Sequence, residues 1–279
     1  RPAEPHATNA TLQTPGGTRV VAYSASDLST TGGVDGAASG HSGHKEHLPK
    51  PTTTTETLLQ EAIAHLTSVD PRLQSLIEKH PCHLFSPKGL QDQVNPFQAL
   101  ACGIMAQQVS GAAAKSIRNR FEALYEGEHF PTPAEVANTS LEVLRTAGLS
   151  GRKAEYIQGL AAKFATGELT AKMLANASDE EILEKLTAVR GLGKWSVEMF
   201  ACFSLKRMDI FSTGDLGVQR GMAAYMGRDV AKLKAKGGKW KYMTEKEMVE
   251  ISDKFAPYRS LFMWYMWRVE DVNLDALQA

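Results

Sequence analysis

From Glu56 onward, apolar residues recur at helical spacing with few breaks. Leu58, Leu59, Ile63 and Leu66 share one face. Asp70-Pro71 then opens a second helix through Leu73, Leu76 and Ile77, with Pro71 expected at the first helical position. Further amphipathic stretches fall at about 96–108, 111–125, 140–147, 151–166, 178–188, 194–205, 215–226, 244–255 and 258–270. Ser178 with Glu181, and Thr244 with Glu247, have the spacing of capping boxes. Strand-like alternation is scarce. The pattern predicts an all-α protein of two helical lobes with a cleft between them. One lobe would span roughly 96–205, and the other 53–95 together with 206–270.

The first 52 residues read differently. They are rich in Ser, Thr, Gly, Ala, Pro and His without sustained periodicity, as in Ser29-Thr30-Thr31-Gly32-Gly33. Such a stretch offers little apolar surface to offset ordering entropy, so a disordered low-complexity tail is expected over 1–52. His41, His44 and His47 lie close together, but no carboxylate or cysteine completes a metal site. Residues 271–279 read as a C-terminal tail.

Composition narrows the class. The 279 residues, 43% hydrophobic, suit a soluble globular protein, and no run of eighteen apolar residues predicts a membrane span. No basic-then-apolar signal peptide opens the sequence. Cys82, Cys102 and Cys202 stand far apart with no CxxC pair, which argues against a disulfide framework and for a reducing compartment. The 31 basic residues balance the 31 acidic ones, which argues against an obligate nucleic-acid binder. Charge is nevertheless uneven. Between 228 and 241, Arg228, Lys232, Lys234, Lys236, Lys239 and Lys241 face Asp229 alone, a phosphate contact or a solvated loop.

The densest chemical signal lies between 183 and 220. Leu183, Leu186 and Val189 lead into Gly191-Leu192-Gly193, a hairpin too tight for side chains, and Val197, Phe200 and Phe203 continue a buried face. A helix starting there aims backbone N–H groups and its positive dipole end at one spot, which suits a phosphate. Lys194 and Ser196 fall in its first turn. Asp215 follows 22 residues after Gly193, behind Ser212-Thr213-Gly214 and at the start of another helix. As a single carboxylate it can serve as a helix N-cap, as a catalytic acid, or as both.

This segment resembles the helix-hairpin-helix (HhH-GPD) DNA glycosylase superfamily, with the nearest likeness to its alkyladenine branch, the fungal-type 3-methyladenine DNA glycosylases II. Two further blocks carry the resemblance. The first runs Pro96-Phe97-Gln98-Ala99-Leu100 through Gly103-Ile104-Met105-Ala106-Gln107-Gln108-Val109-Ser110, and the second is Ala147-Gly148-Leu149-Ser150-Gly151-Arg152-Lys153-Ala154. The likeness covers about residues 56 to 270. It implies that the hairpin around Gly191 and Gly193 grips the DNA backbone, that Asp215 is catalytic, and that Gln107 and Gln108 wedge into the duplex gap. Ser110 would meet the minor groove. It also implies a monovalent cation, Na+ or K+, on the carbonyls of Thr187, Val189 and Leu192, and no other cofactor. Bacterial relatives carry an N-terminal β-domain, for which no sequence is visible here.

The resemblance also separates branches. Members that nick the backbone carry a nucleophilic lysine where this chain has Trp195, and an indole cannot form an imine. Three scattered cysteines cannot hold the four-cysteine iron–sulfur cluster of other branches. A monofunctional, monomeric, nuclear enzyme is therefore expected. It would flip alkylated purines such as 3-methyladenine and 7-methylguanine out of double-stranded DNA and leave abasic sites in base excision repair. Cationic purines suit an aromatic wall. Trp195 leads the candidates for the base pocket, with Phe200, Tyr258, Trp264 and Trp267 secondary, while Met199 and Leu216 replace tyrosines of the bacterial relatives. Two alternatives stay open: a noncatalytic helix-hairpin-helix DNA-binding module, and a superfamily glycosylase acting on oxidised or mismatched bases.

Overall fold

In the computed structural model, residues 1–23, 48–127 and 129–269 are described. Their helices are α1 (Leu58–Val69), α2 (Leu73–Lys79), α3 (Pro96–Ala106), α4 (Gly111–Glu122), α5 (Pro133–Asn138), α6 (Leu141–Thr146) and α7 (Gly151–Ala165). The series continues with α8 (Ala171–Asn176), α9 (Asp179–Thr187), α10 (Lys194–Met199), α11 (Leu216–Tyr225), α12 (Val230–Lys236), α13 (Glu245–Ser252) and α14 (Arg259–Met266). Both expected capping boxes form, and Thr132 with Glu135 makes a third ahead of α5. Pro71 does not open α2, because the helix begins two residues later, behind an N-cap at Arg72.

Two large hydrophobic cores divide the described residues, with a small third cluster of Ala7, Ala22 and Tyr23 beside them. One gathers Phe97, Ile104, Phe121, Ile157, Leu186, Val197 and their neighbours between 97 and 205. The other gathers Leu58, Leu73 and Phe85 with residues from Cys202 to Val269. Helices α11 and α14 cross so closely in the second core that a Cβ on Gly221 would stand 1.7 Å from the Met266 carbonyl oxygen. Only glycine allows that approach.

Residues 1–23 correct the expectation of a disordered tail. They form strands β1 (Pro2–Ala3), β2 (Thr11–Gln13) and β3 (Arg19–Val20), which meet β4 (Thr53–Thr54) and β5 (Gln93–Val94). β1 pairs antiparallel with β4, while β2 lies between antiparallel β3 and parallel β5. Ala3, Ala7, Ala10 and Leu12 are fully buried. Hydrogen bonding, which composition does not register, offsets the ordering entropy. Asn9 and Ala10 donate backbone N–H to the Leu205 carbonyl, and Met208 donates to the Pro5 carbonyl at 2.8 Å. The buried Arg207 guanidinium donates to the His6 and Ala177 carbonyls, to Thr8 Oγ1 and to Asp179. The segment thus straps residues 205–208, where the chain passes from one core to the other. These two- and three-residue strands do not amount to a β-domain. His41, His44, His47 and residues 271–279 lie outside the described residues.

Candidate active site

The hairpin between α9 and α10 closes with a Leu192 N–H donated to the Val189 carbonyl at 3.1 Å, and buried Leu186, Val189, Leu192 and Val197 root it in the first core. Its two glycines do different things. Gly191 has φ +95°, and a Cβ there would stand 2.4 Å from Tyr156 Cδ2. Gly193 has ordinary extended φ of −85°, and a Cβ would meet nothing within 4 Å. Tightness therefore demands Gly191 alone. Gly193 leaves bare, exposed backbone ahead of α10, where Lys194 is exposed and Ser196 half-buried. The first N–H groups of that helix have no intrahelical acceptor.

The α3–α4 loop comes up beside the hairpin. Gln107 Nε2 donates to the Gly191 carbonyl at 2.9 Å, which ties the loop to the turn. Lys153, at the start of α7, donates to the Met105 and Gln107 carbonyls at 2.8 and 2.6 Å and so caps the end of α3. Burial lowers the Lys153 pKa. Gln108 is exposed at the tip with φ 56°, a left-handed conformation that costs a non-glycine residue about 1 kcal/mol or more. Ser110 is exposed and caps α4 through Ala113 N–H. The geometry separates the two glutamines: Gln107 braces the loop, and Gln108 projects from it.

Asp215 is the N-cap of α11, its Oδ1 accepting Val218 N–H at 2.8 Å. Two indoles complete its shell. Trp195 Nε1 donates to Oδ2 at 2.7 Å, and Trp267 Nε1 donates to Oδ1 at 2.9 Å. Trp195 comes from the hairpin helix and Trp267 from the end of α14, so each lobe supplies one indole. Gly217 makes room for the second, since a Cβ there would stand 2.8 Å from Trp267 Cδ1. Around the half-buried carboxylate lie exposed apolar side chains: Trp195 at 50%, Leu216 at 51% and Phe203 at 39%. A solvent-reachable acid fixed by three N–H donors and walled by rings can hold negative charge against a cation.

Residues 101–236 match the HhH-GPD superfamily base excision DNA repair protein family. The DNA-3-methyladenine glycosylase of Saccharomyces cerevisiae is 35% identical over 77% of this chain and 81% of its own length. The chain belongs to the HhH-GPD superfamily. Schizosaccharomyces pombe DNA-3-methyladenine glycosylase 1 is 30% identical over 76% of this chain and 88% of its own length. Among solved structures, a Bacillus halodurans DNA-3-methyladenine glycosidase superposes with TM-score 0.61 at 33% identity, covering 74% of this chain and 88% of its own. An S. pombe 3-methyladenine DNA glycosylase in complex with abasic DNA gives TM-score 0.60 at 28% identity, covering 76% of this chain and 97% of its own.

In this superfamily member, two of the expected pocket residues lie elsewhere. Phe200 is 6% exposed and packs into the first core, while Trp264 is 7% exposed and packs into the second. Tyr258 sits against His65. The rings that reach the acid are Trp195 and Trp267, with Phe203 stacked on Trp267 at 5.6 Å between centroids. A π-turn over Phe200–Ser204 explains Phe203. Leu205 donates its N–H to the Phe200 carbonyl five residues back, and the extra residue rotates Phe203 off the buried face. No periodicity could choose between Trp264 and Trp267, because every residue of α14 from Ser260 to Met266 is buried.

One carboxylate went unremarked in the sequence. Glu198 is buried on α10, accepts the Ser212 hydroxyl at 2.5 Å, and lies 3.8 Å from Lys194 Nζ. Burial, and then the charge of Asp215, push its carboxyl above the ordinary value against the opposing pull of Ser212 and Lys194. Ser212 begins the loop that leads to Asp215, so Glu198 fastens that loop to the hairpin helix. Among the described residues, no cluster of histidine, cysteine and carboxylate could hold a metal ion, all three cysteines are free thiols, and no helix could cross a membrane.

Proposed function

We propose that this protein is a monofunctional DNA glycosylase that hydrolyses the C1′–N bond of alkylated purines in duplex DNA, 3-methyladenine and 7-methylguanine among them, in base excision repair. The observation that carries this reading is the Asp215 carboxylate, held by two indoles among exposed apolar side chains, one of those indoles coming from the helix that follows the Gly191–Gly193 hairpin. Two yeast relatives are named DNA-3-methyladenine glycosylases, and the S. pombe neighbour was captured on abasic DNA, the product the proposed reaction leaves.

The chemistry follows from the parts. The helix start at Gly193, Lys194 and Ser196 binds the phosphate flanking the lesion, and Gln108 fills the gap left by the extruded nucleotide. Trp195, Phe203, Leu216 and Trp267 surround the base. An N3- or N7-alkylated purine carries positive charge, which electron-rich rings attract. As the C1′–N bond breaks, the base leaves with the electron pair and becomes neutral, so no acid has to protonate it. Positive charge moves to the sugar, where the Asp215 carboxylate stabilises it. Water then adds at C1′ and gives its proton to Asp215 or solvent. Trp195 offers no amine, so no imine forms and the strand stays intact.

The carbonyls of Thr187, Val189 and Leu192 are neutral hard donors of the kind an alkali cation takes. A Na+ or K+ there would add positive charge beside the phosphate. A monomer working in the nucleus completes the proposal.

Incubation with methylated duplex is expected to release 3-methyladenine and 7-methylguanine and to leave alkali-labile sites. Borohydride should trap no covalent adduct. Asp215→Asn keeps a side-chain oxygen for the Val218 N–H, so it should fold as the wild type does while base release falls by orders of magnitude. Release at the wild-type rate from that variant would remove Asp215 from the mechanism. No release from the wild type would leave a noncatalytic binding module. A borohydride adduct would favour the lyase branches that act on oxidised bases.

A further inference from the structure

A run of basic residues lies outside the site just described. Helix α12 and the loop after it carry Lys232, Lys234, Lys236, Lys239 and Lys241 in a chain whose formal net charge is zero. Among its described side chains, Ala231, Lys232, Lys234 and Ala235 are exposed, and Val230 and Leu233, at the first and fourth positions, are half-buried. Asp229 is spent as its N-cap, accepting Lys232 N–H at 2.9 Å. Arg228 is paired with Glu247. Lys239 lies over the Trp240 ring at 4.8 Å and Lys241 over Tyr242 at 5.2 Å, which fixes the loop without neutralising either charge. Like charges crowded on a short, thinly packed helix destabilise it, and a polyanion alongside would relieve the repulsion.

The patch is also well placed. Glu245, four residues after Lys241, accepts the Thr213 hydroxyl at 2.9 Å, and Thr213 lies two residues before Asp215. Four residues span at most about 14 Å of chain. Helix α11 runs about 15 Å from Asp215 toward the start of the basic segment. Arg228 N–H folds back onto the Ala223 carbonyl at 2.9 Å, so the segment starts at the far end of α11 and finishes tethered near Thr213, both ends on the order of one duplex turn, about 34 Å, from the catalytic acid.

We propose that Lys232, Lys234, Lys239 and Lys241 form a second backbone-contact surface that holds the duplex flanking the extruded nucleotide and supplies much of the affinity for undamaged DNA. The proposal rests on the glycosylase reading, because it takes the duplex to be engaged at Asp215.

The test replaces the four lysines with glutamine in the full chain (K232Q, K234Q, K239Q, K241Q) and, as a control, with arginine. Binding to an undamaged duplex of about 30 base pairs is measured against salt, beside single-turnover base release at saturating enzyme. The glutamine variant should lose affinity tenfold or more at low salt, with the slope of log Kd against log salt reduced by about one for each lysine engaged. The arginine variant should keep both, and the saturated excision rate should not change in either. An unchanged salt slope in the glutamine variant overturns the proposal. So does a slope unchanged on duplex together with lost binding to polyglutamate, which would mark an acidic protein partner instead. A wild type whose lysine-dependent slope is intact but which releases no base would refute the glycosylase reading and leave the surface standing.

Discussion

Replacing Trp267 with phenylalanine removes one N–H from the Asp215 carboxylate and little else. The phenyl ring still stacks on Phe203, and the 2.9 Å bond to Oδ1 is lost. A hydrogen bond to a charged group is worth about 1.5–3 kcal/mol, which is about 10- to 150-fold in rate if all of it serves the transition state. Asp215 keeps its bonds to Trp195 and Val218, at 2.7 and 2.8 Å, so the carboxylate loses one of three anchors. The expected loss is therefore near the low end, about tenfold in the single-turnover release of 7-methylguanine at saturating enzyme. Trp267→Leu, which also removes the stack, should fall further and raise KM. The opposite sign has its own physics. An indole donor withdraws charge from the carboxylate, and if that outweighed positioning, the phenylalanine variant would run faster. A rate at or above wild type would refute the positioning role assigned to Trp267.

Two further outcomes follow from the packing. Gly221→Ala forces a Cβ against the Met266 carbonyl at 1.7 Å, so α11 and α14 must part; a loss of about 1–3 kcal/mol is expected, read as a fall of several degrees in Tm. The N-terminal strap should make stability depend on pH at both ends. Burial raises the Asp179 carboxyl, but His6 and Arg207 outweigh it and hold it below the ordinary value. The Asp179 hydrogen bond raises the His6 pKa, with burial opposing. The Asp179 contribution is present above the ordinary carboxylate pKa of about 3.9 and fades as pH falls through its lowered value. The His6 contribution is full below about 6.5 and fades as pH rises through its raised value. His6 is half-exposed, so screening keeps its share small. Thermal unfolding of His6→Gln should show a flattened alkaline arm; an arm identical to the wild type would remove His6 from the network.

Much of the helical framework could be read from spacing alone, because amphipathic helices on one core leave a 3.6-residue signature. Helices α3, α4, α7 and α9 fall within the expected stretches 96–108, 111–125, 151–166 and 178–188. Short α5, α8 and α12 have too few turns to establish a period. Asp215 was legible as a cap and as a candidate acid, since one residue type serves both. Trp267 and Phe203 were harder. Residues Ser260–Met266 are buried all round, which erases the phase before Trp267, and the π-turn shifts the phase at Phe203. Composition misjudged the first 23 residues for a different reason. Alanines and threonines count as weak core formers, yet here they fill narrow spaces and satisfy a buried guanidinium.

The seam between the cores explains why distant contacts bear on the chemistry. Asp215 and Trp267 belong to one lobe and Trp195 to the other, so a relative shift of the lobes stretches the Trp195 bond. A displacement of about 1 Å at a reacting group can cost about a hundredfold in rate. Two features far from the acid hold this geometry. Within the second lobe, Gly221 fixes the depth at which α14 sits on α11 and so places Trp267, while between the lobes the N-terminal strap binds residues 205–208 with backbone bonds and the Arg207 guanidinium. Weakening either should therefore lower the excision rate at temperatures where the protein is still folded. Loss of activity ahead of loss of fold is the behaviour expected of a site divided between two lobes rather than built within one.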